Sequence, residues 1–185
     1  MTLIEVVIAL TVLSVGILGL LVSISSSLIA TDANREEAIA MNCARAKLSE
    51  LQLLTLNGNF STIFSTYNST QTAHSVNVAT MFSNPTAENN LSDPNASCTV
   101  LFPEGGAGGT LVEGSSPSDI FFGLTAAQAN NMGMPQDIDG NGTLDGITTD
   151  KAGTYSILPV CINVSWVSIN GNRSVNLYAV LARLK

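Results

Sequence analysis

Charged residues are scarce in this chain of 185 residues. They make up 11% of it, against roughly 25% in an ordinary globular domain, and none lies between Val6 and Thr31. Only seven Lys and Arg residues stand against fourteen Asp and Glu residues, which gives a net charge of −7. Because no basic cluster is present to neutralise phosphates, we expect no direct binding of nucleic acid and no electrostatic attraction to acidic lipids.

Residues typical of catalytic sites are also few. His74 is the single histidine, and it lies in a stretch rich in Ser, Thr and Asn. The serines form no GxSxG or SxxK motif, and the glycine run at 105–109 lacks the Lys-Ser/Thr that a phosphate-binding loop requires. An enzyme needs convergent acid, base or nucleophile groups. We therefore expect a chain that is not an enzyme.

The first 30 residues form a nearly continuous apolar segment, which only Glu5 interrupts between Leu3 and Ile29. At about 1.5 Å per residue, a helix of this length crosses a bilayer of roughly 30 Å. A cleavable secretory signal would begin with basic residues, whereas the first charged side chain here is acidic. The sequence predicts a membrane-spanning helix.

Glu5 is the unusual residue of this segment. A carboxylate within a membrane helix costs a few kcal/mol on insertion scales, so it is expected to have a partner. Its own N-terminal amine lies about one helical turn away, but the amine of a neighbouring, axially shifted copy is within reach. The pattern predicts staggered copies that pack through their N-terminal helices. The alternative is a lone Glu at the level of the lipid headgroups.

The run MTLIEVVIALTVLSVGILGL resembles the mature N-terminus of type IV pilins, minor pilins and type II secretion pseudopilins, with Thr2, Leu3, Ile4 and Glu5 matching position by position. The resemblance implies that a prepilin peptidase cleaves before Met1 and that Met1 is N-methylated. It also implies that Met1 and Glu5 of neighbouring copies register the assembly. Such a subunit resides in the bacterial inner membrane and then in an extracellular filament on the cell surface.

One position departs from that resemblance. Many major pilins carry a proline near position 22, where this chain has Val22, and this favours a minor pilin or pseudopilin. Gly16 and Gly19 are the nearby residues that weaken a helix. They are compatible either with local melting during assembly or with close helix packing.

The rest of the chain predicts an α+β, type IV pilin-like fold, with the long helix packed on a small C-terminal antiparallel sheet. Residues 31–56 continue the helix, and Asn57-Gly58-Asn59 ends it. One apolar face carries Ala44 and Leu51, and a second carries Ile39, Cys43, Ala46 and Leu53. Residues 57–185 form a β-rich head, in which 95–102 is the first strand and 157–169 pairs with 174–184 across an Asn170-Gly171 turn.

The three cysteines, Cys43, Cys98 and Cys161, show no metal-binding spacing and predict one disulfide and one thiol outside the cytoplasm. Three pairings are possible. Strand alternation places Cys161 on the face opposite Trp166. If the Trp166 face covers the long helix, Cys161 points away from Cys43, which favours a Cys98–Cys161 disulfide.

Residues 137–150 contain the run DIDGNGTLD, which follows the spacing of an EF-hand calcium loop. A glycine, Gly142, occupies the position of the sharp turn, but Thr148 replaces the final bidentate Glu. We expect a weak structural Ca²⁺ site; the alternative is a metal-free surface turn. The candidate ligands are Asp137, Asp139, Asn141, the Thr143 carbonyl, Asp145 and, by a different loop path, Asp150.

Three functions agree with these patterns. The first is a structural subunit that polymerises into a type IV pilus or a related filament. The second is a pseudopilin or minor pilin within the same kind of machine. The third is a calcium-dependent binding module that a membrane helix anchors and that never polymerises.

Overall fold

The computed structural model describes residues 2–78, 96–106, 108–168 and 171–183. The fold is α+β, with a long N-terminal helix and a small antiparallel sheet, and its two compact units are Met1–Ala38 and Ile39–Lys185. The helices are α1 (Leu3–Leu56), α2 (Phe60–Tyr67), a 3₁₀ turn (Thr72–His74) and α3 (Ala126–Asn131). The strands are β1 (Ser75–Asn77), β2 (Ser97–Leu101), β3 (Ile157–Ser168) and β4 (Gly171–Ala182).

The first unit is the N-terminal part of α1. Every residue from Thr2 to Asp32 is exposed, although most of them are apolar. Hydroxyl groups in this part donate to the preceding turn of the same helix, as from Ser14 to the Leu10 carbonyl at 2.7 Å and from Ser26 to the Val22 carbonyl at 2.9 Å. Such bonds satisfy polar groups without a partner chain. The helix is long and apolar enough to cross a membrane.

The second unit is organised around one sheet with strand order β1-β2-β3-β4, antiparallel throughout. β3 and β4 pair over their full length and form the predicted hairpin, with Ser168 opposite Gly171. The predicted strand at 95–102 is present as β2, but β1 precedes it in the chain, so β2 is not the first strand. Gly171 has φ of 105°, a value that favours glycine at this turn.

One face of the sheet packs against the C-terminal part of α1. Helix residues Ala40, Cys43, Ala44 and Leu51 are buried in the same cluster as the sheet residues Cys98, Val100, Leu158, Ile162, Val164 and Trp166. The predicted second apolar face is divided in the structure. Cys43 and Ile39 pack on the core together with Ala44, whereas Leu53 is 58% exposed. The helix ends at Leu56, as the Asn57-Gly58-Asn59 sequence predicted.

The opposite face of the sheet has its own apolar layer. Cys161 is fully buried there in a cluster with residues of α3 and the flanking loops, namely Val112, Phe121, Ala129, Met132 and Met134. Periodicity did not predict α3, because a helix of six residues is too short to show it. A capping box starts α3: the Thr125 side chain accepts from the Gln128 N–H, and the Gln128 side chain accepts from the Thr125 N–H.

The predicted Cys98–Cys161 disulfide is wrong for this structure, in which no two of the three cysteines are bonded. The β2–β3 register places Cys98 opposite Val164 and Leu101 opposite Cys161. Since successive strand residues alternate between faces, Cys98 lies on the α1 side of the sheet and Cys161 on the α3 side. The sheet itself separates the two sulfur atoms.

Candidate functional sites

The start of α1 is the first candidate site. The Glu5 carboxylate accepts a hydrogen bond from the Thr2 N–H at 2.8 Å and from the Thr2 hydroxyl at 3.3 Å. A helix leaves its first N–H groups without internal partners, so Glu5 caps the helix to which it belongs. Met1, the predicted methylation site, lies outside the described residues. The predicted contact between Glu5 and the amine of another copy stays a prediction.

The apolar surface of α1 extends over the following seven turns. Leu3 is 86% exposed and Leu28 is 62% exposed, and the residues between them have no cover within the subunit. A soluble monomer rarely exposes a contiguous apolar patch larger than a few hundred Å². Lipid or another protein chain would cover such a surface. Gly16 and Gly19 have no other atoms within 4 Å of the position that a Cβ would take.

The acidic loop at 137–145 is the second candidate site. The Asp137 carboxylate accepts from the N–H groups of Gly140, Asn141 and Gly142 at 2.7–3.2 Å, which curls the loop around this side chain. Gly140 and Gly142 have φ of 77° and 85°, values that residues with a Cβ rarely adopt. Local sequence thus determines the curled backbone.

Lys151 supplies a cation to this loop. Its ammonium donates to Asp139 at 2.6 Å and to Asp145, and it lies 4.0 Å from Glu113. The hydrogen bond from Lys151 holds the pKa of Asp139 and of Asp145 below the usual range for a carboxyl group. The same bonds, from Asp139 first, raise the pKa of Lys151. Mutual stabilisation of the charged forms is the cause in each case.

Glu113 anchors the loop from outside and was missed by the sequence analysis. It is fully buried, and its carboxylate accepts from the N–H groups of Ile138, Asp139 and Asp145 at 2.9–3.3 Å. Its carboxylate lies within 4.8 Å of those of Asp137 and Asp139. The one sequence signal is an acid directly after the apolar pair Leu111–Val112, and it gives no indication of the partners of Glu113.

The predicted calcium ligands are only partly brought together. Asp137 and Asp139 share the cluster with Glu113, and the Asn141 amide donates to Asp139 at 3.1 Å and to Asp145 at 3.3 Å. The Thr143 hydroxyl donates to Asn141. The Asp150 carboxylate instead accepts from the Leu111 and Ala152 N–H groups at 3.1 and 3.0 Å.

The donor set fits a hard cation, because it consists of carboxylate, amide and carbonyl oxygens. The position of Lys151 shows that the cluster already stabilises one positive charge. A bound Ca²⁺ would have to displace that ammonium from Asp139 and Asp145. No family model, curated protein or solved structure matches this chain.

Proposed function

We propose that this chain is the structural subunit of a type IV pilus or a related extracellular filament, polymerised through α1. The observation that carries the proposal is the uncovered apolar surface between Thr2 and Asp32, with one acid at its start. In the membrane, lipid covers that surface. In the filament, the same segments of neighbouring copies replace the lipid, so the apolar area stays out of water throughout assembly.

Glu5 sets the register between copies in this mechanism. Its carboxylate accepts from Thr2 in the subunit, and the N-terminal amine of the next copy adds a charge-assisted bond when the helices are staggered. Without that amine, assembly would bury a carboxylate with no opposite charge, which is strongly unfavourable. The axial shift that pairs Glu5 with this amine is therefore favoured over other alignments of the two apolar helices.

Processing belongs to the same proposal. A prepilin peptidase would release Met1 as the new N-terminus, and methylation of its amine would preserve the positive charge. Mass spectrometry of the chain recovered from cells should find the N-terminal peptide beginning with methylated Met1. A membrane-anchored module that never polymerises would lack this modification.

Glu5→Ala tests the mechanism. We expect loss of surface filaments, measured by shearing and electron microscopy, while the chain still fractionates with the inner membrane. Asp32→Ala is the matched control, because Asp32 is an exposed acid of the same helix beyond the apolar segment, and it should assemble normally. Normal filament yield from Glu5→Ala would contradict the role of Glu5 in register.

A minor pilin or secretion pseudopilin is the second candidate, favoured by Val22 in place of proline. The amount of the chain in sheared fibres separates the possibilities, since a major subunit dominates the fibre mass and a minor one does not. Either result is compatible with assembly through α1.

For the acidic loop, we propose a structural Ca²⁺ site formed by Asp137, Asp139, Asn141, Asp145 and the Thr143 carbonyl. The supporting observation is the convergence of the Asp137 and Asp139 carboxylates with Glu113. Calcium bound there would hold the loop by neutralising its acids. A calcium-dependent binding module on a membrane helix is the candidate from another class, and mass spectrometry of Met1 separates it from a filament subunit, because such a module would lack the methylated N-terminus.

A further inference from the structure

Cys43 and Cys98 line one cavity in the second unit. Cys43 comes from the core face of α1 and Cys98 from β2, and the cavity of about 190 Å³ lies between α1 and the β1–β2 edge of the sheet. Ala46, Val76 and Val78 are its other apolar lining residues, and Lys47 and Glu50 are its charged ones. Both cysteines are more than nine-tenths buried. One thiol of α1 and one of β2 therefore share a single cavity.

Cys161 cannot reach this cavity. It belongs to the apolar layer beneath α3, on the other face of the sheet, where it is fully buried. A disulfide requires Cα atoms about 4.4–6.8 Å apart with side chains directed at each other. Any bond that includes Cys161 would have to cross the sheet. Of the three possible pairings, only Cys43 with Cys98 joins residues on one side of it.

Two further observations agree with an approach of α1 to β2 at these cysteines. Burial raises the pKa of Cys98, the charge of Lys47 opposes that rise, and the charge of Cys43 adds to it. The helix residues on either side of Cys43 along the core face are Ala40 and Ala44, both fully buried. Small side chains at these positions let the helix backbone lie near the strand.

We propose that Cys43 and Cys98 are the residues of this chain that form a disulfide, tying α1 to β2, and that Cys161 stays a thiol. The structure shows the dithiol form. A thiolate of one cysteine attacks a small-molecule or protein disulfide and releases one thiol from it. The second cysteine then attacks the mixed disulfide and releases the other thiol. Two protein thiols are oxidised, one disulfide is reduced to two thiols, and the two protons given up by the protein thiols end on the two released thiols.

The Cys43–Cys98 disulfide would stabilise the fold mainly by lowering the conformational entropy of the unfolded chain. It would close a loop from residue 43 to residue 98, which restricts the unfolded chain. We expect the oxidised protein to melt roughly 5–15 °C above the reduced protein. Burial raises the pKa of Cys98 to about 11, so the exchange should be slow at neutral pH and faster at about pH 9. The proposal holds whether or not the chain forms filaments.

The test uses the full chain in detergent micelles, incubated with oxidised glutathione at about pH 9 and then alkylated, digested without reductant and analysed by mass spectrometry. We expect one cross-linked peptide pair that contains Cys43 and Cys98, and Cys161 alkylated only after denaturation. The bond should survive in Cys161→Ala and be absent from Cys43→Ser and Cys98→Ser. Reduction should lower the melting temperature of Cys161→Ala but not that of Cys43→Ser.

Three outcomes would overturn the proposal. The first is a cross-link that includes Cys161 in the folded protein. The second is three alkylatable thiols in every sample after oxidant treatment, with circular dichroism showing a folded chain. The third is a mixed disulfide with glutathione on Cys43 or Cys98 without the internal bond, because it would show accessible thiols that cannot meet.

Discussion

The Lys151 ammonium donates to the Asp139 carboxylate at 2.6 Å, within a loop whose local sequence suggests calcium. Asp145 and Glu113 are the other acids around the same ammonium. The side chain of Lys151 is 7% exposed and that of Glu113 is fully buried. A calcium ion bound at the proposed site would therefore compete with Lys151 for the same oxygens.

Lys151→Met should increase the affinity of the loop for calcium. The substitution keeps an apolar stem and removes the ammonium, so Ca²⁺ no longer has to displace it from Asp139 and Asp145. We expect the calcium dissociation constant, measured by isothermal titration calorimetry, to fall roughly tenfold. Lys47→Met, at a site in α1, is the matched control and should leave the calcium dissociation constant unchanged. Weaker calcium binding in Lys151→Met would show that the ammonium supports the metal site and does not compete with it.

Acid should destabilise the metal-free loop. The pKa values of Asp139 and Asp145 are lowered in the folded state, so their contribution to stability is present above the ordinary carboxyl pKa of about 4. That contribution is lost as the pH falls through the lowered values. In the presence of a chelator, the melting temperature of the wild type should fall steeply below about pH 4. The melting temperature of Lys151→Met should fall less steeply with decreasing pH. Equal slopes for the two proteins would show that the bonds from Lys151 are not the cause of the acid sensitivity.

Glu104→Ala should destabilise the second unit. Glu104 is 1% exposed, and its carboxylate accepts from the Ser69 N–H at 2.8 Å, the Gly109 N–H at 2.6 Å and the Ser69 hydroxyl. Its removal leaves three partly buried donors without this partner, at a cost of about 2–4 kcal/mol in the free energy of unfolding. Urea titration of the chain in micelles measures this change in the free energy of unfolding.

The matched control for that experiment is Glu37→Ala, which removes an exposed acid of α1. It should change the free energy of unfolding by less than about 0.5 kcal/mol. A loss below 1 kcal/mol in Glu104→Ala, on the scale of a single exposed hydrogen bond, would show that water replaces the carboxylate at this position.

Gly19→Leu should reduce filament assembly without affecting the subunit itself. Nothing lies within 4 Å of the added Cβ in the subunit, and leucine is favourable in a lipid-facing helix. Membrane insertion should therefore be unchanged. Close packing between helices would be blocked by the larger side chain, and sheared fibres should decrease severalfold. Leu20→Ile, a change of shape at an exposed position of the same segment, should assemble normally; equal yields would show that Gly19 does not contact another copy.

The local features of this chain are present in its sequence. The apolar run from Leu3 to Ile29, the β3–β4 hairpin and the curl of the acidic loop each depend on neighbouring residues, because length, alternation and glycine positions act over a few residues. The Asp137 bonds to Gly140 and Gly142 span at most five residues. Patterns of this range can be predicted without knowing what packs against them.

Tertiary structure alone decided the remainder. Glu113 reaches the acidic loop from 24 residues before Asp137, and the β2–β3 register assigns Cys98 and Cys161 to different faces. Neither fact has a local signal, since a shift of one residue in that register would reverse the faces. The sequence by itself determined which segments are helix, hairpin and curled loop. Only the packing of distant strands and loops decided which acids and which lysine meet, and on which face of the sheet each cysteine lies.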